Sequence, residues 1–255
     1  DIPNGVTSIP DVTVTPLPPT QPIPTEIPPL TNSDIEKAIL NGEYDMVRSE
    51  LTANGQPDIT AQWQLAKTEF LSENTTAALE HLRAITTSAP ESIEATRSWF
   101  LIAEIYYGLQ RYAEAIPAYQ EYQKRSPLLS EYVLSKLGNS YSLNGQYSEA
   151  IDTFNKVLES NPNDETTQIK IGRAYLFWDK PQEALDIFDK ISTSTEDDYI
   201  KAQMDLLAGQ AYINLKDNEK AFERWQHAVA NYPLSYDAYS ALQGLTTYEQ
   251  PVDDL

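Results

Sequence analysis

The chain has 255 residues, with 18 Lys and Arg against 38 Asp and Glu, a formal net charge of −20 and 41% hydrophobic residues. That apolar share suits a packed body rather than a wholly unfolded chain. The acid excess argues against a nucleic-acid partner, whose phosphates call for a Lys/Arg surface, and against docking on an anionic membrane through a basic patch. Cysteine is absent, which excludes disulfides, thiol chemistry and Cys-ligated zinc or iron–sulfur centres.

Residues 1–30 hold nine of the seventeen prolines and five threonines, with no Lys, Arg or aromatic residue. Proline lacks the backbone donor and clashes with a preceding helical turn, so this stretch reads as a Pro/Thr-rich extended or disordered linker. At about 3.1 Å per residue it could reach on the order of 90 Å. It reads as a passive spacer, and its PxxP pairs (Pro16 and Pro19, Pro19 and Pro22) also match ligands of proline-binding modules. No signal peptide is visible, and the chain begins at Asp1, as a processed or trimmed product would. The densest apolar stretch, Trp99 to Leu109, carries Glu104 and is far shorter than the roughly 20 residues of a bilayer crossing, so no direct membrane insertion is expected.

From residue 31 the apolar residues recur at helical spacing and strand alternation is missing. Ser33-Asp34-Ile35-Glu36 reads as a capping box that opens the first helix. Pro57, Pro90, Pro127, Pro162 and Pro233 fall between helical stretches, and their spacing points to an internal repeat. The clearest unit reads Leu134-x2-Leu137-Gly138-x2-Tyr141, Gly145, Tyr147, Ala150-x3-Phe154 and Pro162. Before it stand Trp99-x2-Ile102-Ala103-x2-Tyr106, Tyr112, Ala115-x3-Tyr119 and Pro127. After it stand Ile171-Gly172-x2-Tyr175 with Ala184-x3-Phe188, and Ala208-Gly209-x2-Tyr212 with Ala221-x3-Trp225 and Pro233. A weaker unit holds Leu65-Ala66, Ala78-x3-Leu82 and Pro90. The marker alanines Ala78, Ala115, Ala150, Ala184 and Ala221 are 37, 35, 34 and 37 residues apart.

This pattern resembles the tetratricopeptide repeat family. The resemblance implies an all-α fold, a right-handed superhelical solenoid of antiparallel helix pairs. The expected organisation is a linker over 1–30 and a solenoid over 31–249. The solenoid divides into a degenerate repeat at 31–57, five units at 58–233 and a capping helix at 234–249, with a tail at 250–255. In each unit the small residue of the first helix (Ala66, Ala103, Gly138, Gly172, Gly209) is expected to let the second helix approach, and Tyr106, Tyr141, Tyr175 and Tyr212 to fill the space between repeats. Pro181 replaces a common tyrosine, so an altered turn is expected there.

The resemblance also implies an inner groove lined by first helices. Carried over unit by unit, its inward positions are Trp63, Lys67 and Phe70; Phe100, Glu104 and Tyr107; Asn139; Arg173, Leu176 and Phe177; and Gln210 and Ile213. One column reads Lys67, Glu104, Asn139, Arg173, Gln210. Long polar groups flanked by aromatics suit an extended peptide, and the acidity favours a basic partner through steering. Against this stands the plainer reading that several of these side chains contact adjacent helices.

Signals for chemistry are weak. His81 and His227 show no partner at metal-ligand spacing and read as surface or packing residues. Asp197-Asp198 and Asp253-Asp254 read as a helix start and a solvated tail. Glu104 reads as a groove residue rather than a general acid, and Asn74-Thr75-Thr76 is a glycosylation sequon. No cofactor or metal is expected. The leading expectation is a non-catalytic interaction scaffold that binds a protein or extended peptide. An alternative comes from Trp225…Val229…Tyr232 to Leu242, which is similar to the solenoid of bacterial soluble lytic transglycosylases. It implies the non-catalytic region of an exported cell-envelope enzyme whose catalytic domain lies elsewhere. The lack of cysteine and the Pro/Thr stretch lean toward a location outside the cytoplasm, with the cytoplasm still open.

Overall fold

The computed structural model describes residues 30–53 and 55–248; the linker expected over 1–30 (apart from Leu30) and the tail expected over 250–255 lie outside the described residues. Among the described residues the chain forms thirteen α-helices and no strand. In order they are α1 (Asn32–Leu40), α2 (Tyr44–Thr52), α3 (Ile59–Leu71), α4 (Thr75–Ser88), α5 (Ile93–Gly108), α6 (Tyr112–Arg125), α7 (Ser130–Leu143), α8 (Tyr147–Ser160), α9 (Glu165–Phe177), α10 (Pro181–Ser194), α11 (Asp198–Asn214), α12 (Asn218–Asn231) and α13 (Tyr236–Thr247). Each helix packs mainly on its neighbours in sequence. Odd-numbered helices also touch along a second row, α1 on α3, α3 on α5, α7 on α9 and α11 on α13. This is the all-α solenoid that the repeats imply: no pair buries its apolar face alone, and stacking does it.

Small residues meet large ones at each crossing within a pair. A Cβ added to Gly138 would lie 2.5 Å from Cε1 of Phe154, and Gly172 and Gly209 stand as tightly against Phe188 and Trp225. The aromatic four residues past Ala150, Ala184 and Ala221 therefore lies on the glycine of its partner helix. All five marker alanines are wholly buried, as are Tyr119 and Phe188. Trp225 is the largest of these side chains and needs room on two sides. Gly244 of α13 backs its ring opposite Gly209, and its indole N–H donates to the Leu206 carbonyl at 3.1 Å. Each fully buried aromatic contributes about 1.5–3 kcal/mol of burial free energy.

The turn inside each pair repeats a second feature. The last helical turn closes with a left-handed residue: Gly42, Glu73, Gln110, Gly145, Asp179 or Lys216. The next N–H then reaches back to the carbonyl five residues earlier, as in Gln146 to Tyr141 at 2.8 Å and Asp217 to Tyr212 at 3.0 Å. This is a Schellman stop, which satisfies carbonyls the helix end leaves open. Gly42 and Gly145 enter it freely, whereas the other four residues carry a side chain there.

Two local expectations are corrected. Thr31 caps α1 rather than Ser33: its hydroxyl accepts from the Asp34 N–H, and the Asp34 carboxylate receives the Thr31 N–H and hydroxyl. The spacing of three from Thr31 to Asp34 starts the helix earlier. The turn before Pro181 is not altered, because Lys180 N–H bonds to the Tyr175 carbonyl at 2.9 Å like its counterparts. Proline at the first helical position gives up only an N–H that has no helical partner. The α10 end, which lacks a following proline, still stops in extended backbone at Thr195.

The first pair is joined to the rest by charge. Glu69 of α3 is buried, with its side chain 7% exposed, and accepts from Arg48 of α2 at 2.7 and 3.2 Å and from Asn74 at 2.9 Å. The Arg48 hydrogen bonds hold the Glu69 carboxyl below its ordinary value of 4.5 although burial opposes them. A carboxylate depressed in the folded state stabilises above its unfolded pKa and loses that stabilisation as pH falls through the folded one.

Two outcomes follow for urea unfolding read by circular dichroism. Gly138→Leu lowers stability by about 3 kcal/mol through overfilling, whereas Gly108→Ala, which meets open space, leaves it unchanged or raises it by about 0.5 kcal/mol. Glu69→Gln is less stable at neutral pH by about 2 kcal/mol, and the gap to the native chain closes as pH drops below the carboxylate range.

Candidate functional site

The inward positions carried over from the repeat pattern lie on α3, α5, α7, α9 and α11, the row of first helices. Of their polar members, Lys67 and Glu104 are occupied by neighbours, whereas Arg173 and Gln210 are exposed. Lys67 Nζ reaches Glu36 Oε2 of α1 at 2.5 Å and Gln64 Oε1 at 3.3 Å. Despite the opposing effect of burial, hydrogen bonds from Lys67 and Gln64 keep Glu36 ionised to lower pH. Burial raises the phenol of Tyr107, and nearby Asn139 partly offsets it. Arg173 is exposed and faces Asp237 of α13, a carboxyl that burial pushes up and Arg173 pulls down. Gln210 is exposed at the mouth of a cleft.

Glu104 differs from the expected free groove residue. Its Oε1 accepts from the Tyr119 hydroxyl at 2.5 Å and its Oε2 from the Tyr132 hydroxyl at 2.9 Å. Lys136 Nζ stands 3.9 Å from the same carboxylate and 4.0 Å from the Tyr107 ring centroid. Burial and then the Glu104 hydrogen bond raise both phenols, Tyr132 to about 12. Each oxygen of this carboxylate already holds a hydroxyl donor, with an ammonium close by. The acid inside an apolar run thus joins α5 to α6 and α7. The donors lie 15 and 28 residues away, beyond the reach of a helical spacing rule.

The apolar members behave differently. Trp63, Phe70 and Phe100, with Leu101, Tyr122 and Leu129, line a cleft of about 490 Å³ whose edge carries Lys67 and Arg97. Phe100 sits 5.2 Å from the Tyr122 ring and 6.1 Å from that of Tyr132. At the other end of the row, Phe177, Gln210 and Ile213 line a second cleft of about 370 Å³ with Trp225 and Tyr248. Leu176 borders it as a core residue only 7% exposed, so the carried-over inward position is part of the packing here. Eight of the twelve positions line two clefts, one apolar and one of mixed polarity; Glu104, Tyr107 and Asn139 lie between them with Lys136, and Arg173 lines neither. Tyr122 and Leu129 were not among the positions read from the repeat. They come from a second helix and the loop after it, and Leu129 is left-handed in backbone and more than half exposed.

Other titratable groups serve packing. Asp205 of α11 is 3% exposed and holds Arg224 Nε at 3.2 Å and His227 Nδ1 at 2.6 Å, both on α12. Arg224 continues to Asp189 of α10. His227 thus has an acidic partner, 22 residues away in sequence, that spacing did not reveal. Asn74 of the sequon caps α4 and donates to Glu69. Among the described residues no group of three His, Cys, Asp or Glu could hold a metal ion, and no helix is long and apolar enough to cross a membrane. The segment from Trp225 to Leu242 is accounted for by packing: Ser235 caps α13, and Ala238 and Ala241 are buried against Trp225.

The polar cluster is testable by a double-mutant cycle. Glu104→Gln and Tyr119→Phe each destabilise the chain by about 1–2 kcal/mol in urea, and the double variant costs less than their sum because the two act through one bond.

Tetratricopeptide repeat models match residues 64–129, 132–164 and 204–235. No curated protein matches the chain. Among solved structures, the C-terminal part of a TPR repeat-containing protein from Cytophaga hutchinsonii is similar, with a TM-score of 0.59 and 18% identity over 82% of this chain and 85% of that one. YrrB, described as a TPR protein with an unusual peptide-binding site, aligns with a TM-score of 0.56 and 18% identity over 82% of this chain and 97% of its own. MamA aligns with a TM-score of 0.54 and 14% identity over 76% and 97%. At these identities the structural likeness concerns the fold. Together with the matched repeats, the small-on-aromatic crossings at Gly138, Gly172 and Gly209 place the chain in the tetratricopeptide repeat family.

Proposed function

We propose that the chain is a non-catalytic protein-interaction scaffold that takes an extended peptide along its row of first helices. The observation that carries this reading is the pair of clefts on that row, an apolar one of about 490 Å³ and one of mixed lining of about 370 Å³. Exposed aromatics are the side chains that gain most from being covered: Phe70 is 37% exposed and Phe177 59%. Affinity then comes from apolar anchors of the peptide, one in each cleft, and the central polar cluster sets the spacing. The peptide-binding site named for YrrB supports this use of the fold. A net charge of −20 favours an overall basic partner, because its approach is steered through the long-range field, and disfavours nucleic acid.

The test is panning of a displayed random peptide library against the chain. Enriched peptides are expected to carry two apolar anchors and to bind the Phe70→Ala/Phe177→Ala variant at least about tenfold more weakly. Phe177 is mostly solvated but Phe70 only 37% exposed, so the variant is expected to be somewhat less stable, and binding is compared at a temperature where circular dichroism shows both proteins folded. Failure to enrich any sequence, or equal binding to the variant, removes the clefts as the site.

A further inference from the structure

The middle of the row, between the two clefts, holds a cation that the chain leaves without an acid. Lys170 of α9 is half-buried and donates to the Ser135 hydroxyl of α7 at 2.7 Å, with its ammonium 5.9 Å from the Phe154 ring centroid. Burial lowers its pKa from the ordinary 10.5; Asp164 opposes that shift and Lys136 adds to it. Three residues along α9, Arg173 is exposed. Asp237 of α13 faces Arg173 but does not pair with it. Among the described residues neither Lys170 nor Arg173 has a carboxylate within 4.0 Å, in a chain with 38 acids. The neighbouring Lys136 is placed differently, since it stands 3.9 Å from Glu104.

An ammonium drawn partly out of water gains more from an anion than from a neutral hydroxyl. Residues three apart on a helix share a face, so Lys170 and Arg173 can reach the two oxygens of one carboxylate. Their place along the row says which carboxylate. Ser135 is six residues past Leu129, roughly 9 Å along α7 from the first cleft, and Arg173 is four residues before Phe177, roughly 6 Å along α9 from the second. A peptide anchored in both clefts runs on past this point in each direction, so only a side chain, not a chain end, meets the pair.

We propose that Lys170 and Arg173, with Ser135, form a subsite for the carboxylate of one Asp or Glu side chain lying between the two anchors of the bound peptide. The assignment rests on the reading of this row as a peptide site and adds the residue expected at its centre. It agrees with a partner that is basic overall. The field of the whole chain acts at long range and is screened over about 8 Å, whereas the pair acts at hydrogen-bond distance. Asp164 and Asp237 flank the pair, so a second acid beside the first is repelled.

The test uses a random peptide library joined to its carrier by the carboxyl end, which offers side-chain carboxylates only. It is panned on the native chain and on Lys170→Met/Arg173→Met, which keeps apolar stems and removes both charges. Peptides enriched on the native chain are expected to carry one Asp or Glu between two apolar residues, and those enriched on the variant to keep the apolar residues and lose the acid. In a synthetic copy of the leading native peptide, replacing that acid by its amide weakens binding at least about tenfold to the native chain and less than about twofold to the variant. If circular dichroism shows the double variant unfolded, Arg173→Gln, at an exposed position, carries the same comparison. Enriched peptides with two apolar anchors and no acid between them overturn the subsite and leave the clefts standing, as does an acid whose replacement costs the same on both proteins. An acid that depends on Lys170 and Arg173 in peptides indifferent to Phe70→Ala/Phe177→Ala keeps the subsite and removes the clefts. No enrichment on the native chain removes both.

Discussion

The fit of one ring against one missing side chain sets the geometry of this molecule. Where Gly138 faces Phe154, Gly172 faces Phe188 and Gly209 faces Trp225, two helices approach until no room is left for a Cβ. A glycine inside a helix costs about 1 kcal/mol against alanine, yet the aromatic it admits gains about 1.5–3 kcal/mol on full burial. The exchange fixes the crossing of each pair. Repeating the crossing at nearly constant spacing then fixes the relation of one pair to the next, so the second row of contacts, first helix on first helix, follows without a separate device.

Several polar residues on that row bond to the neighbouring first helix. Glu36 with Lys67, Glu104 with Tyr132, and Lys170 with Ser135 at 2.7 Å all link one first helix to the next. Such partly buried bonds become strong once both partners are satisfied, and an unsatisfied member would be costly. Phe70 and Phe177, toward the two ends of the row, remain 37% and 59% exposed. The carbonyl of the tyrosine position in each unit has a structural duty as well, accepting the N–H that closes the turn.

Charge works on two scales. Across the whole chain the excess of acids, a net charge of −20, gives a long-range negative field. Locally, the scarce cations are placed at joints: Arg48 on buried Glu69, Arg224 on buried Asp205, and Lys136 beside Glu104. Each neutralises an acid that packing has taken out of water, the arrangement in which a charge pair is hardest to replace by halves.

The sequence alone determined the helical hairpin, the period and the small-residue register, because these rest on local spacing that every unit repeats: Ala150, Phe154 and Gly138 are legible as a set once the same set appears at Ala184, Phe188 and Gly172. It also gave the first-helix positions, through the resemblance the repeats carry. Only the tertiary structure decided what those positions do. That Glu104 is consumed by Tyr119 and Tyr132, that His227 meets Asp205, that Leu176 belongs to the core, and that Tyr122 and Leu129 complete an aromatic cleft all depend on contacts between residues outside the repeat's own periodicity. A periodic signal reports which face a side chain occupies, whereas its partner is set by how neighbouring units stack, and that distance is not written in any one of them.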